Sequence, residues 1–248
     1  MKKFLATVAF STLALPAQAF DITTMDDQER STFRAEVRAY LLENPEVILE
    51  AYQIFEQRQA AAEAQKDETM IAAHGDAIYN DDRAWVGGNP EGDITLVEFM
   101  DYRCGYCRKA HSEVSELVAT DGNIRYIVKE FPILGDESVL ASRFAIATKL
   151  VAGDEAYKKA YDALITFRGN IGQKSLARLA ETLDLDGDAI IAQMNSPEVN
   201  QLIGDNHQLA QSMGISGTPT FILGDQMLRG YVPLANMMEL VASVREEK

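Results

Sequence analysis

Cys104 and Cys107 are the only cysteines in this 248-residue chain, and they stand three positions apart in Cys104-Gly105-Tyr106-Cys107. Two thiols at that spacing, at the start of a helix, can close a small disulfide and open it again. As a staple the pair is poor, since on the chain-entropy account a loop of about four residues stabilises a fold by only about 2 kcal/mol. The spacing therefore points to redox chemistry. A thiol in the first turn of a helix faces unpaired backbone N–H groups and the positive end of the helix dipole, and both favour the thiolate. Cys104 is expected to be the exposed nucleophile, and Cys107, one turn further in, the buried resolving thiol. Exchange then runs through a mixed disulfide and needs no cofactor beyond the cysteine pair.

Other chemistries lack their residues. Structural zinc needs four ligands, and His111 is the only histidine near the pair. Cys104, Cys107 and His111 would hold a metal incompletely, so no metal site is expected and His111 reads as a polar helix residue. His74 and His207 have no evident partners in the sequence. There is no phosphate-cradling glycine loop and no pattern of a serine hydrolase.

The elements that must position the pair are readable around it. Ile94 to Met100 is an apolar run rich in strand formers and bounded by turn signals, which reads as a buried strand. A helical pattern runs from Cys107 to about Ala119, and Ile124 to Phe131 forms a second strand. Residues 137–213 are mostly helical, with breaks near Gly153, Gly169-Asn170 and Asp184 to Gly187. Thr220 to Leu223 and Gln226 to Leu228 form a hairpin turned at Gly224-Asp225, and Pro233 to Val244 a closing helix. This is an α/β order with a helical insertion. Glu98 falls in the middle of the first strand. Bare burial of that carboxylate would be expensive, so it is expected to be partly neutral, paired or reached by water. Lys129 on the second strand is its expected partner.

Ahead of this lies a helical, polar region. Phe33, Val37, Tyr40 and Leu41 recur at helical spacing. Asn44-Pro45 restarts the chain, with Asn44 as N-cap and Pro45 in the first turn. The helix that follows carries Val47, Ile48, Ala51, Tyr52 and Phe55 on one side, then fades into an alanine-rich polar stretch. With so little apolar surface it should pack on the main domain or on copies of itself. Turn formers at Asp81-Asp82-Arg83 and Gly87 to Asp93 place a boundary near residue 83. The expected division is residues 1–19, 20–83 and 84–248.

The first of these reads as a secretory signal: Lys2-Lys3, an apolar run from Phe4 to Leu15, then Ala17-Gln18-Ala19, with cleavage expected after Ala19 and a periplasmic product. The run is too short for a membrane anchor. An oxidising compartment suits disulfide chemistry. With 23 basic against 38 acidic side chains the formal net charge is −15, so the surface repels phosphate backbones, and nucleic-acid binding is excluded on that ground.

Phe99 to Cys107 resembles the active-site segment of the secreted Dsb branch of the thioredoxin superfamily. Lys129-Glu130-Phe131-Pro132-Ile133-Leu134-Gly135 resembles the segment after the second strand in DsbA-like proteins, and Gly217-Thr218-Pro219-Thr220-Phe221 the loop that carries their cis-proline. The three occur in the family's order, over about residues 84–248. The N-terminal helices resemble the oligomerisation stalks of the suppressor-of-copper-sensitivity group. The resemblance implies a thioredoxin-like fold with a DsbA-like helical insertion after an α-helical N-terminal extension. It also implies a cis Pro219 facing Cys104, a substrate strand bound by Thr218 and Pro219 beside Gly105 and Tyr106, and Glu98 as proton relay to Cys107. Partners would be protein thiols or disulfides and a membrane redox protein, with homo-oligomers assembled through residues 20–83. The Gly-Tyr dipeptide and the Thr218-Pro219 loop are similar to the isomerase-like branch, whereas the large insertion is DsbA-like, so isomerase or reductase is favoured and oxidase stays open. A different class, an oligomeric chaperone or copper-binding protein using the cysteines as a metal or sensor site, is the alternative.

Overall fold

The computed structural model describes residues 22–246; the signal-peptide reading and the Ala19 cleavage lie outside them. The chain divides into two compact units between Arg58 and Gln59. The first contains α1 (Asp27–Glu43) and the opening part of α2 (Glu46–Ala73). Asp26 caps α1, its Oδ1 accepting from the backbone N–H of Gln28 and Glu29 at 2.8 Å while Glu29 returns a carboxylate to the Asp26 N–H at 3.0 Å. Asn44, expected to start the second helix, instead closes the first: its Nδ2 donates to the Tyr40 carbonyl at 2.9 Å. Phe33, Tyr40, Ile48, Leu49, Tyr52 and Phe55 are all exposed.

The second unit is a five-stranded sheet between two helical layers, in strand order β1 (Trp85–Gly88), β3 (Ile124–Glu130), β2 (Ile94–Met100), β4 (Thr220–Leu223), β5 (Gln226–Arg229). β2 and β3 run parallel, with Ile94 opposite Ile124 and Glu98 opposite Val128. A parallel pair needs a crossover, supplied by α4 (Gly105–Asp121). The other ladders are antiparallel. The expected strands and hairpin all form; β1 goes unrecognised in the sequence because Gly87-Gly88 reads as turn. Gly88 sits at φ +68°, and a Cβ there would lie 2.3 Å from the Ile124 carbonyl oxygen, so the strand can lie this close to β3 only because it ends in glycine.

Side chains alternate between the two faces. Leu96, Met100, Tyr126, Val128, Phe221 and Leu223 face the layer built from α4, α5 (Asp136–Ala152), α6 (Asp154–Thr166), α7 (Gln173–Thr182), α8 (Gly187–Gln193) and α10 (Leu234–Glu246). Val97, Phe99, Ile127 and Ile222 face the opposite layer, where Ile71 of α2, Ile78 of α3 (Gly75–Tyr79) and Leu209 and Met213, at the end of α9 (Pro197–Ser212), close the core. Among the described residues no helix is long and apolar enough to cross a membrane.

Candidate active site

Asp101, the residue after β2, is fully buried and sets the entry into α4. Its carboxylate accepts from the backbone N–H of Arg103 at 2.7 Å, Ile133 at 2.8 Å and Leu134 at 3.0 Å, and from the Ser138 hydroxyl at 2.8 Å. One side chain thus ties the turn that bears the cysteines to the chain leaving β3. Cys104 follows as the N-cap of α4, its Sγ accepting from the Cys107 N–H at 3.5 Å. The Thr218–Pro219 bond is cis, and the Thr218 carbonyl accepts from the Cys104 thiol at 3.1 Å. The structure holds both cysteines as free thiols. Cys104 is only 7% exposed against 1% for Cys107. The nucleophile is less open than expected because the Thr218 carbonyl stands over it. Gly105 and Tyr106 are exposed; the Tyr106 ring stacks 6.4 Å from Tyr231. The structure therefore brings Cys104, Cys107, Gly105, Tyr106, Thr218 and Pro219 around one end of α4.

The two thiols are driven apart in acidity. Cys104 falls from 9.0 to about 5, chiefly through its hydrogen bond with the Cys107 thiol, then through the Thr218 side chain and the N–H groups of Cys107 and Tyr106, against a desolvation that works the other way. Burial pushes Cys107 far up, reinforced by the bond to Cys104 and the charge of Glu98. One sulfur is built to be attacked or to attack; the other stays protonated until needed. The 240-nm thiolate absorbance of reduced protein is expected to titrate with a midpoint near 5. The folded value lies below the unfolded one, so the thiolate supports the reduced fold fully above about pH 9 and loses that contribution as pH falls through about 5. Denaturation of both redox forms at pH 6, 7 and 8 should show the reduced form gaining on the oxidised by about 1.4 kcal/mol per pH unit. A gap that does not change with pH refutes the assignment.

Beneath the pair lies Glu98, 1% exposed. Burial raises its carboxyl to about 7, with the charges of Cys104 and Glu130 adding and a hydrogen bond from the Tyr126 hydroxyl opposing. Lys129 is not its partner. Consecutive strand residues point to opposite faces, and Lys129 sits opposite Phe99 in register, on the far face of the sheet. There its fully buried ammonium donates to the Ala77 carbonyl at 2.8 Å and to Asp81 at 3.2 Å.

The partners that do meet Glu98 are ones the sequence reading passes over. Tyr126 holds it, and the Tyr161 hydroxyl lies 3.1 Å from that of Tyr126. Beside them a second buried carboxyl, Glu130, accepts from Tyr157 at 2.6 Å, Tyr102 at 2.7 Å and Ser142 at 2.7 Å. Burial likewise raises it to about 7, opposed by those three donors. The signal was available: Tyr126 shares the face of Val128 by strand alternation, and Tyr157 and Tyr161 are four apart on α6.

Comparison with known proteins agrees with this geometry. The family of DSBA-like thioredoxin domains matches residues 95–242, and that of the copper resistance protein ScsC N-terminal domain matches residues 29–62. A thioredoxin-like oxidoreductase from Silicibacter pomeroyi is 38% identical, covering 69% of this chain and 97% of that one at a TM-score of 0.64. A linker-deletion mutant of Proteus mirabilis ScsC shares the fold at 21% identity, covering 92% of this chain and 100% of that one at a TM-score of 0.69. The Na(+)/H(+) antiporter NhaA 3 of Salinispora tropica is 31% identical over 60% of this chain, yet the chain spans only 23% of that protein's length.

Proposed function

Because this chain belongs to the family of DSBA-like thioredoxin domains, we propose that it is an exported thiol–disulfide oxidoreductase that exchanges disulfides with protein clients. The observation that carries this reading is the acidified Cys104 thiol at the N-cap of α4, set 3.1 Å from the Thr218 carbonyl beside a cis-proline. In the exchange, Cys104 thiolate attacks one sulfur of a client disulfide and the other sulfur leaves as thiolate. Cys107 then displaces the client from the mixed disulfide, forming the Cys104–Cys107 bond as the second client thiol departs. Run backwards, the same steps oxidise a dithiol. Gly105, Tyr106, Thr218 and Pro219 line the client's approach, and Glu98 takes the Cys107 proton. A membrane redox protein would reset the pair, and a periplasmic location follows from the signal-like residues 1–19.

Within that chemistry the direction favoured is isomerase or reductase, acting through an assembly of copies. The large apolar side chains left exposed on the first unit, such as Phe33, Tyr40, Ile48 and Phe55, support self-association, as does the match to the ScsC N-terminal domain over residues 29–62. The test is reactivation of scrambled, multiply disulfide-bonded ribonuclease by residues 20–248 and by a truncation starting at Gln59. The truncation must not start at Trp85, because that removes Ile71, Ile78 and Asp81. Lys129 would then be left buried without its carboxylate, a loss of several kcal/mol. An assembled isomerase reactivates in the long form and fails from Gln59 onward, although the short form still exchanges a simple dithiol. If both forms oxidise a dithiol and neither reactivates the ribonuclease, the protein is a monomer-competent oxidase.

A further inference from the structure

Acidic side chains outnumber basic ones 38 to 23 in this chain, yet three guanidiniums gather beside the nucleophile. Arg103 precedes Cys104, and its Nη1 donates to the Gly169 carbonyl at 3.1 Å, which fastens the loop bearing Arg168 to the entrance of α4. Arg108 lies one turn into the helix, its backbone N–H bonded to the Cys104 carbonyl at 3.1 Å. The half-buried Arg108 side chain donates from Nε to the Tyr102 carbonyl at 3.1 Å, and its Nη2 is buried without a hydrogen-bond partner. Burial and then the positive charges of Arg103 and Arg168 disfavour its charge, while Cys104 and Asp101 favour it.

The acids nearby do not balance this group. Asp101 has its oxygens taken by four donors. Glu137 pairs with Arg103 alone, at 3.0 Å, and Asp162 pairs with His111 and Lys158. Among the described residues, neither Arg108 nor Arg168 forms an ion pair. The Cys104 charge acts on Arg108, but the groups that chiefly stabilise the thiolate are the Cys107 thiol, the Thr218 side chain and two backbone N–H groups. Two guanidiniums without an ion pair, next to Arg103 and a reacting sulfur, suit an incoming carboxylate, a group that guanidinium binds well.

We propose that Arg108, Arg168 and Arg103 form a subsite that reads a carboxylate carried next to the reacting sulfur on an acidic segment of the client protein. The subsite rests on the oxidoreductase reading and gives it a substrate preference. Acidic flanks would be drawn to Cys104 against the repulsion of the molecule as a whole, with an attraction that weakens in salt. Arg168, exposed on its loop, supplies the outer charge, and the half-buried Arg108 the inner one.

The test compares iodoacetate, an anion, with neutral iodoacetamide on the reduced full chain at pH 7 in low salt. Both transfer a carbon to the Cys104 thiolate and expel iodide, so their rate ratio cancels the thiolate fraction. The ratio should exceed that of a neutral cysteine peptide and fall about threefold to tenfold in Arg108→Met with Arg168→Met. Arg108→Lys should retain part of it, keeping the charge and losing the fork, and 0.5 M salt should erase it. Peptide disulfides with aspartate or asparagine flanking the cysteine provide the second arm, and the aspartate form should react faster in wild type only. A ratio indifferent to both methionine substitutions overturns the subsite, as do equal rates for the two peptides. Selective acceleration of glutathione disulfide, with the peptides equal, overturns the assignment to a client segment. Ordinary thiol titration of Cys104 with both reagents would instead sink the oxidoreductase reading itself.

Discussion

With Cys104 replaced by serine, disulfide exchange should fall by at least about a thousandfold, because the hydroxyl has neither the thiolate's nucleophilicity nor a leaving sulfur. The fold should survive, since serine can keep the N-cap bond to the residue 107 N–H. The companion change, Cys107→Ala, has a different signature. Cys104 remains acidified in part by its other donors, so attack proceeds, but nothing resolves the product. A client disulfide should then accumulate as a covalent adduct on Cys104, visible by non-reducing electrophoresis and intact mass. Turnover by the Cys104→Ser protein, or absence of adduct in Cys107→Ala, would remove the mechanism.

The second large effect belongs to Glu98. Cys107 must lose its proton to resolve the mixed disulfide, and its acidity is pushed strongly the wrong way by burial. Glu98, held near 7 in the same buried region, is matched to accept that proton around neutral pH. Glu98→Gln keeps the shape and removes the acceptor, so release of the mixed disulfide at pH 7 should slow about a hundredfold. Because Glu98 is still protonated where Cys104 ionises, the same change leaves the ionisation of Cys104 alone. The Cys104 alkylation midpoint should therefore stay near 5 while resolution slows. Stopped-flow alkylation and single-turnover decay of a Cys104 adduct measure the two separately. A residue with a purely structural role would shift both for the worse; a proton acceptor slows resolution and leaves the midpoint in place.

The centre of the site is plainer in the sequence than its support. Cys104, Cys107 and Pro219 lie in short local patterns, and β2, β3 and the β4–β5 hairpin have apolar periodicity that tertiary contacts do not overrule. Pairings across the sheet are harder, because they depend on register. Lys129 is an obvious partner for Glu98 only while the two strands are read without their faces; a single residue of offset sends it to the other layer. The tyrosines that do meet the carboxyls come from β2's neighbour, from the loop before α4 and from α6, distant stretches with nothing but periodicity to link them. β1 hides for another reason. Gly88 makes room for β3 and Gly87 for the Trp85 ring, and a sequence shows the flexibility of glycine but not the neighbour it makes room for.

One feature of that support also makes the molecule observable. Trp85 is the only tryptophan in the chain, and its indole stacks on Tyr157 at 5.5 Å and meets Tyr126 edge-on at 6.1 Å. Those two phenols are hydrogen-bonded to Glu130 and Glu98, the two carboxyls that titrate near 7. The chromophore is thus wired to both buried acids and, through Glu98, to the charge on the sulfurs. Its emission is therefore expected to change with the protonation of those acids and the redox state of the pair, readable in unlabelled protein while the exchange proceeds.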